Sequence, residues 1–346
     1  MTISDENTKV DHNIPNTLSI NAVSNDICKM VVSVDDKKTI NDYLQNYLLC
    51  ANCGKEGDDV NNTCNKCKLV KYCNAACKKQ HRHKHKKACE EHTRFVDEAI
   101  AMLRDEKLFK QPPAEDCPIC FLRMPTLDTG KRYYSCCGKQ ICSGCSHAPL
   151  YDDQGNEVDN KKCPFCRTPD ASGDEAIKRE KKRVDAGNAE AIFNLGGNYS
   201  DGIYGYPVDH TKALELWHRA GELGHANAYN NIGWAYDNGK GVDVDKKRAV
   251  YYYEQAAMGG DINARHNLGI EEKNAGRVDR ALKHYMIAVR DGFALSLKQI
   301  QRMYSNGHAT KEDYTTALRL YQEYLGEIKS RQRDIAAAAD EEYRYY

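Results

Sequence analysis

Apolar positions between residues 187 and 328 recur at helical spacing, and the pattern itself returns about every 36 residues. Gly187, Gly224, Gly260 and Gly292 are each followed four residues later by a small residue: Ala191, Ala228, Ala264 or Ser296. Leu195 with Gly196, Ile232 with Gly233 and Leu268 with Gly269 come next, and Ile300 holds the fourth place. Gly202, Gly239, Gly276 and Gly307 then close a first helix in each unit. Asp209, Asp245, Asp279 and Asp313 stand before the second helices as expected N-caps. Ala213, Ala249, Ala281 and Ala317 follow, and an aromatic lies four residues beyond each: Trp217, Tyr253, Tyr285 or Tyr321. A spacing of four puts the small and the aromatic residue on one helix face. The pattern predicts two helices per unit and four units, stacked as a solenoid.

Elsewhere the pattern is weaker. Residues 1–45 are polar, with isolated hydrophobics, and read as a disordered tail; across its end Ile40, Tyr43, Leu44, Tyr47 and Leu48 share a helical spacing. Glu90 to Phe109 is expected to be a helix, with Phe95, Ile100, Leu103 and Leu108 near one side and Pro112 and Pro113 stopping it. Asp170 to Arg183 reads as a polar linker entering a charged helix. Residues 329–346 read as a final helix that frays.

Composition narrows the class. Lysine plus arginine number 50 and aspartate plus glutamate 50, so no bulk charge draws the 346-residue chain toward nucleic acid or membrane. No run of eighteen apolar residues occurs, and the start, MTISDENTKV, is too polar for a signal peptide. A cytoplasmic or nuclear protein is expected. In that reducing setting sixteen cysteines, mostly in pairs two residues apart, point to metal rather than disulfides. Cys28 alone stands outside the paired clusters.

The first cluster runs from Cys50 to Cys89. Cys50/Cys53 and Cys64/Cys67 have the two-residue gap of a turn that aims two sulfurs at one ion. Cys73/Cys77 and His85/Cys89 have the i, i+4 spacing of ligands on one helix face. Spacing alone leaves open whether consecutive or alternating pairs share an ion. The segment resembles a MYND-type zinc finger at all eight ligand positions. The resemblance implies that Cys50, Cys53, Cys73 and Cys77 hold one zinc, that Cys64, Cys67, His85 and Cys89 hold the other, and that the module binds short peptides. About forty residues bury too little for a core of their own, so metal must supply the fold, about 10–16 kcal/mol per site. The run KKQHRHKHKK, Lys78 to Lys87, lacks interleaved aromatics and is expected to be a solvated helix face rather than a nucleic-acid surface.

The second cluster spans Cys117 to Arg167: CPIC, CCGKQICSGC and CPFCR. Eight thiolates make two closed tetrahedral sites. The stretch resembles a RING finger in an all-cysteine variant. The resemblance implies that Cys117, Cys120, Cys142 and Cys145 share one zinc and that Cys136, Cys137, Cys163 and Cys166 share the other. Adjacent side chains on extended backbone point opposite ways. Both Cys136 and Cys137 therefore serve only if the chain turns there, where Gly138 would help; otherwise one is a bystander and His147 or another group completes the site. The resemblance further implies docking of a ubiquitin-conjugating enzyme at Ile119, Pro164 and Arg167, with no covalent catalytic residue.

The helical units resemble Sel-one-like repeats, relatives of the tetratricopeptide repeats, in LGGNYSDG, IGWAYDNGKGV and DKKRAVYYYEQAAMGG. The expected organisation is thus a tail (1–45), a MYND-type finger (46–92), a connecting helix (93–112), a RING-type finger (113–170), a linker helix (171–186), four repeats (187–328) and a C-terminal helix or tail (329–346). The fold class is multidomain, with two small zinc-stabilised modules followed by an all-α solenoid. Four Zn2+ ions are expected. Two functions are open: a RING-type ubiquitin-protein ligase recruiting substrate through its finger and repeats, or a non-enzymatic scaffold with structural zinc sites. Both imply protein partners and no membrane.

Overall fold

The computed structural model describes residues 62–66, 71–126, 128–148, 154, 156 and 162–346. Cys28, the helical spacing at Ile40–Leu48, Cys50, Cys53 and Cys67 lie outside them, as does the side chain of Phe95. The chain divides into two compact units, Met1–Glu106 and Lys107–Tyr346. In the first, β1 (Asn62–Thr63) pairs antiparallel with β2 (Lys71–Tyr72). Helix α1 then runs from Ala75 to Leu108. It passes unbroken through residue 92, because no glycine or proline interrupts the chain from Ala75 to Leu108.

In the second unit β3 (Lys131–Tyr134) and β4 (Lys139–Cys142) form an antiparallel hairpin, with Arg132 opposite Ile141. Helix α2 (Ser143–His147) follows it directly. Eight helices of the solenoid then alternate as pairs: α4 (Ala189–Asp201) with α5 (His210–Glu222), α6 (Ala226–Asn238) with α7 (Lys246–Met258), α8 (Ile262–Asn274) with α9 (Val278–Arg290), and α10 (Ala294–Ser305) with α11 (Lys311–Ile328). Helix α3 (Asp174–Asp185) leads into the array, and α12 (Arg331–Ala339) follows it.

The repeating glycines explain how the pairs close. A Cβ on Gly196 would lie 2.5 Å from the Trp217 indole, one on Gly233 2.7 Å from the Tyr253 ring, and one on Gly269 2.4 Å from the Tyr285 ring. Each first helix therefore opens a socket for the aromatic of its second helix. Ala191, Ala228, Ala264 and Ser296 are fully buried at the matching close approaches. In the last unit the buried aromatic is Tyr324, whereas Tyr321 is only half-buried.

Two expected caps differ. Asp209 and Asp245 cap α5 and α7 by accepting backbone N–H groups of the first turn. Asp279, in contrast, lies inside the first turn of α9, whose N-cap is Arg277 with no side-chain cap. Asp313 is the third residue of α11 and forms a reciprocal capping box with the N-cap Thr310. The short loop between α8 and α9 leaves no room for a preceding aspartate, and Thr310 competes successfully in α11.

The C-terminal segment does not fray. Ala336, Arg333 and Tyr345 are almost wholly buried, and α12 packs against α2. The cysteine-rich part of this unit is joined to the array at several points. Gln111 donates 2.8 Å bonds to Asp291, Arg123 pairs with Asp291 at 2.6 Å and with Glu327, and Gln140 donates to Glu190 at 2.8 Å. Buried Arg265 donates to the carbonyls of Leu108 (2.5 Å) and Lys110 (2.9 Å).

Candidate metal centres

Cys117-Pro118-Ile119-Cys120-Phe121 and Cys163-Pro164-Phe165-Cys166-Arg167 fold alike. The N–H of Phe121 donates to the Cys117 carbonyl at 2.9 Å, and that of Arg167 to the Cys163 carbonyl at 2.9 Å. The N–H of Cys117 is bound by Leu122 O at 2.9 Å, that of Cys163 by Thr168 O at 2.8 Å. Each knuckle needs its last residue left-handed, and Phe121 (φ 56°) and Arg167 (φ 61°) are so despite their side chains. The result points two sulfurs to one side of each turn.

The hairpin and α2 supply the other four sulfurs. Cys142 ends β4 and Cys145 lies in α2, while Cys136 and Cys137 sit in the β3–β4 turn. That turn is closed by the N–H of Gly138 on Tyr134 O at 2.8 Å, with Gly138 at φ 70°. The sulfurs fall into two groups, Cys117/Cys120/Cys142/Cys145 and Cys136/Cys137/Cys163/Cys166, each with all members within 4.8 Å of one another. The grouping alternates pairs along the chain, and the turn brings both adjacent cysteines to one group. His147 belongs to neither; it is buried with its ring 5.4 Å from that of Tyr343.

The donor sets fit zinc. Cys120 to Cys142 and Cys137 to Cys163 are each 3.8 Å apart, and Cys136 to Cys166 is 3.4 Å. Tetrahedral Zn–S bonds of about 2.3 Å place sulfurs about 3.8 Å apart. All described cysteines are free thiols. Their ionisation shows the crowding. Cys145 is pushed far up by its contacts with Cys117 and Cys142, and the Cys117 thiol is held far down by its contacts with Cys142 and Cys145. Burial raises Cys137 to about 11, whereas exposed Cys166, bonded to the Thr168 hydroxyl, is lowered to about 6. Four such thiols ionise together only around a cation.

In the first unit Cys64, His85 and Cys89 form a third group, with Cys64 and Cys89 3.7 Å apart. Cys77 lies in the first turn of α1 and Cys73 in the bend that leads into it, with the two sulfurs 3.6 Å apart. Asn74 holds that turn: its carbonyl accepts the Cys77 N–H at 2.8 Å and its amide donates to Cys73 Sγ at 3.4 Å. Tyr72, 1% exposed, is the buried centre around which these sulfurs sit.

Of the expected docking residues, Arg167 is exposed, with no side-chain partner among the described residues. Pro164 is half-buried, and Ile119 is half-buried against the cysteine cluster. The structure adds three apolar side chains on the knuckles: Phe121, 77% exposed, with Leu122 and Phe165. Sequence reading missed them, although Phe165 occupies in its knuckle the place of Ile119, and Phe121 that of Arg167. The internal repeat of the two knuckles was the available signal. Among the described residues no helix is long and apolar enough to cross a membrane.

Comparison with known proteins follows the same division. The MYND finger family model matches residues 50–89, and the Sel1 repeat model matches 189–225, 226–261 and 293–323. The helix pair α8–α9 lies between the last two ranges. The E3 ubiquitin-protein ligase DA2 of Arabidopsis thaliana is 42% identical over 55 residues, 16% of this chain and 12% of the relative. The E3 ubiquitin-protein ligase GW2 of Oryza sativa subsp. indica is 42% identical over 57 residues, 16% of this chain and 11% of the relative. The chain thus spans about an eighth of the length of these relatives. Among solved structures, a Sel1 repeat protein from Oxalobacter formigenes aligns with 48% of this chain and 64% of its own, at 29% identity and a TM-score of 0.38. The protective antigen c5321 of uropathogenic Escherichia coli, which displays an SLR fold, aligns with 47% of this chain and 35% of its own, at 26% identity and a TM-score of 0.38. This chain is a protein with a MYND finger and Sel1 repeats, and its cysteine groups fit zinc fingers.

Proposed function

We propose that the chain is a zinc-dependent ubiquitin-protein ligase whose RING-type module, residues 113–170, docks a ubiquitin-loaded conjugating enzyme. The MYND finger and Sel1 repeats are protein-interaction modules, and in this reading they bind a peptide motif and the substrate or an adaptor. Four zinc ions hold the two finger modules, in the ligand sets expected from the sequence. The reducing cytoplasm or nucleus keeps the thiols available to metal. The observation that carries the reading is the pair of matching knuckles. They present exposed Phe121, Leu122 and Phe165 beside an exposed Arg167 with no side-chain partner among the described residues. The names of the two plant relatives support it.

Such a module contributes orientation rather than covalent chemistry. Apolar side chains on the knuckles bury against the carrier, with Ile119 and Pro164 shaping the surface beneath. The Arg167 guanidinium, a planar fork with five donors, bridges carrier and ubiquitin and restrains the thioester for attack by a substrate lysine. The metal, once bound, supplies rigidity to the knuckles; no coordination position is left for substrate.

The test is autoubiquitination by the zinc-loaded full chain with a panel of conjugating enzymes. Arg167→Ala, Ile119→Ala and Phe165→Ala, each at full zinc content, are expected to lose chain formation about tenfold or more, or about 1.4 kcal/mol in the barrier. Silence of the wild type across the panel overturns the reading. One observation favours a second reading, a non-enzymatic scaffold. All five residues of α2 are buried, with α12 packed against the helix, which confines any docking surface to the knuckles.

A further inference from the structure

Arg333 on α12 is 1% exposed. One guanidinium nitrogen donates to the carbonyls of Arg123 (2.8 Å) and Ile328 (2.7 Å), and the other faces Cys120 Sγ at 3.9 Å. Burying a charge is costly unless an opposite charge accompanies it. Arg123 meets this need with Asp291 and Glu327. Arg333 has no carboxylate within ion-pair distance among the described residues. The anion beside it is sulfur: Cys120, in the group with Cys117, Cys142 and Cys145. Four thiolates around one divalent cation leave an excess of two negative charges, buried at the spot where this arginine is buried.

The approach of α12 is built for the contact. A Cβ on Gly144 would lie 2.8 Å from the Arg333 backbone nitrogen and 3.0 Å from the Gln332 carbonyl carbon. Glycine at 144, one residue before the ligand Cys145, therefore lets α12 lie directly on α2. Arg183 offers a contrast at the other sulfur group. It donates to the carbonyls of Ser135 (3.0 Å) and Cys136, fixing the turn without meeting a sulfur.

We infer that Arg333 is the outer-shell counter-charge of the Cys117/Cys120/Cys142/Cys145 centre, so that metal retention there depends on docking of the C-terminal helix. The inference rests on the reading of that group as a zinc site. Coupling runs both ways: metal holds α12 in place through the charge of its thiolates, and α12 holds the metal through Arg333. Partners of metal ligands commonly change affinity 10–100-fold when removed.

The experiment follows zinc release from the full-length, zinc-loaded protein to a chelating dye, with helix content read in parallel. Arg333→Met is expected to release part of its zinc about 10–100-fold faster than wild type, with the helical signal retained. Arg333→Lys, which keeps the charge and loses the fork, is expected to fall between. Release from Arg333→Met at the wild-type rate overturns the inference. If Arg333→Met does not fold, a folded, metal-retaining Arg333→Lys supports the charge, and equal failure of both variants overturns it in favour of a backbone clamp. Cys117→Ser separates the underlying reading: zinc content equal to that of wild type shows that the group holds no metal, and the inference falls with it.

Discussion

Between Cys117 and Arg167 the buried apolar side chains other than cysteine are Pro125, Tyr134 and Ile141, among the described residues, whereas each pair of the helical array buries its own aromatic. The two regions answer the same shortage of core differently. The knuckles fix backbone by local hydrogen bonds and leave the rest to sulfur and metal, a closure that is complete or absent. The array divides its core into units, each an aromatic ring against a glycine and an alanine, so that damage reaches the neighbouring units and fades. Cooperation at a point and cooperation along a line should therefore fail in different ways.

The sharpest way to break the comparison is to remove metal. Chelation is expected to unfold the knuckles outright, at about 10 kcal/mol or more per site. Limited proteolysis should then cut within residues 117–170 while the helical signal of residues 189–328 persists. Trp217→Ala, which empties the first socket, is expected to cost about 3–5 kcal/mol. Urea unfolding should show the loss without any change in zinc content.

A third test uses pH within the array. His284 is fully buried beside Phe109 (ring centroids 4.7 Å apart), and neither of its nitrogens has a hydrogen-bond partner among the described residues. Burial first, then Arg265 and Arg280, hold its pKa down to about 3. The folded state thus binds fewer protons than the unfolded chain, whose histidine titrates near 6.5. Its contribution is complete above that value and is lost as pH falls toward the folded pKa. Between pH 7 and 5 the array should lose about 2 kcal/mol, and His284→Leu should flatten that slope. The smallest effect concerns caps. Asp245→Ala is expected to cost about 1 kcal/mol. Asp279→Ala, which removes no cap, should leave the urea midpoint nearly unchanged.

Legibility differed between the regions for a physical reason. Helix pairing, the alanines and three of the four aromatics were readable because a solenoid repeats its contacts at a fixed interval, and Gly196, Gly233 and Gly269 mark the sockets. The sulfur groups were readable through ligand spacing and family resemblance together. The joint placement of Cys136 and Cys137 was legible only as what the resemblance implied, since it turns on the left-handed Gly138 and on the Tyr134 carbonyl that closes the turn. Phe121 and Phe165 escaped notice because exposure of an apolar side chain is a property of its surroundings.

The sequence by itself determined what periodic and short-range physics can encode: which stretches are helical, which cysteines are spaced as ligand pairs, and where the helical pattern repeats. Tertiary structure alone decided which distant groups meet. Arg333 lies 213 positions from Cys120, and Asp291 lies 168 from Arg123. Neither pair leaves a local signal, because a buried charge is compensated by whatever anion the fold brings to it, and no spacing rule spans such distances.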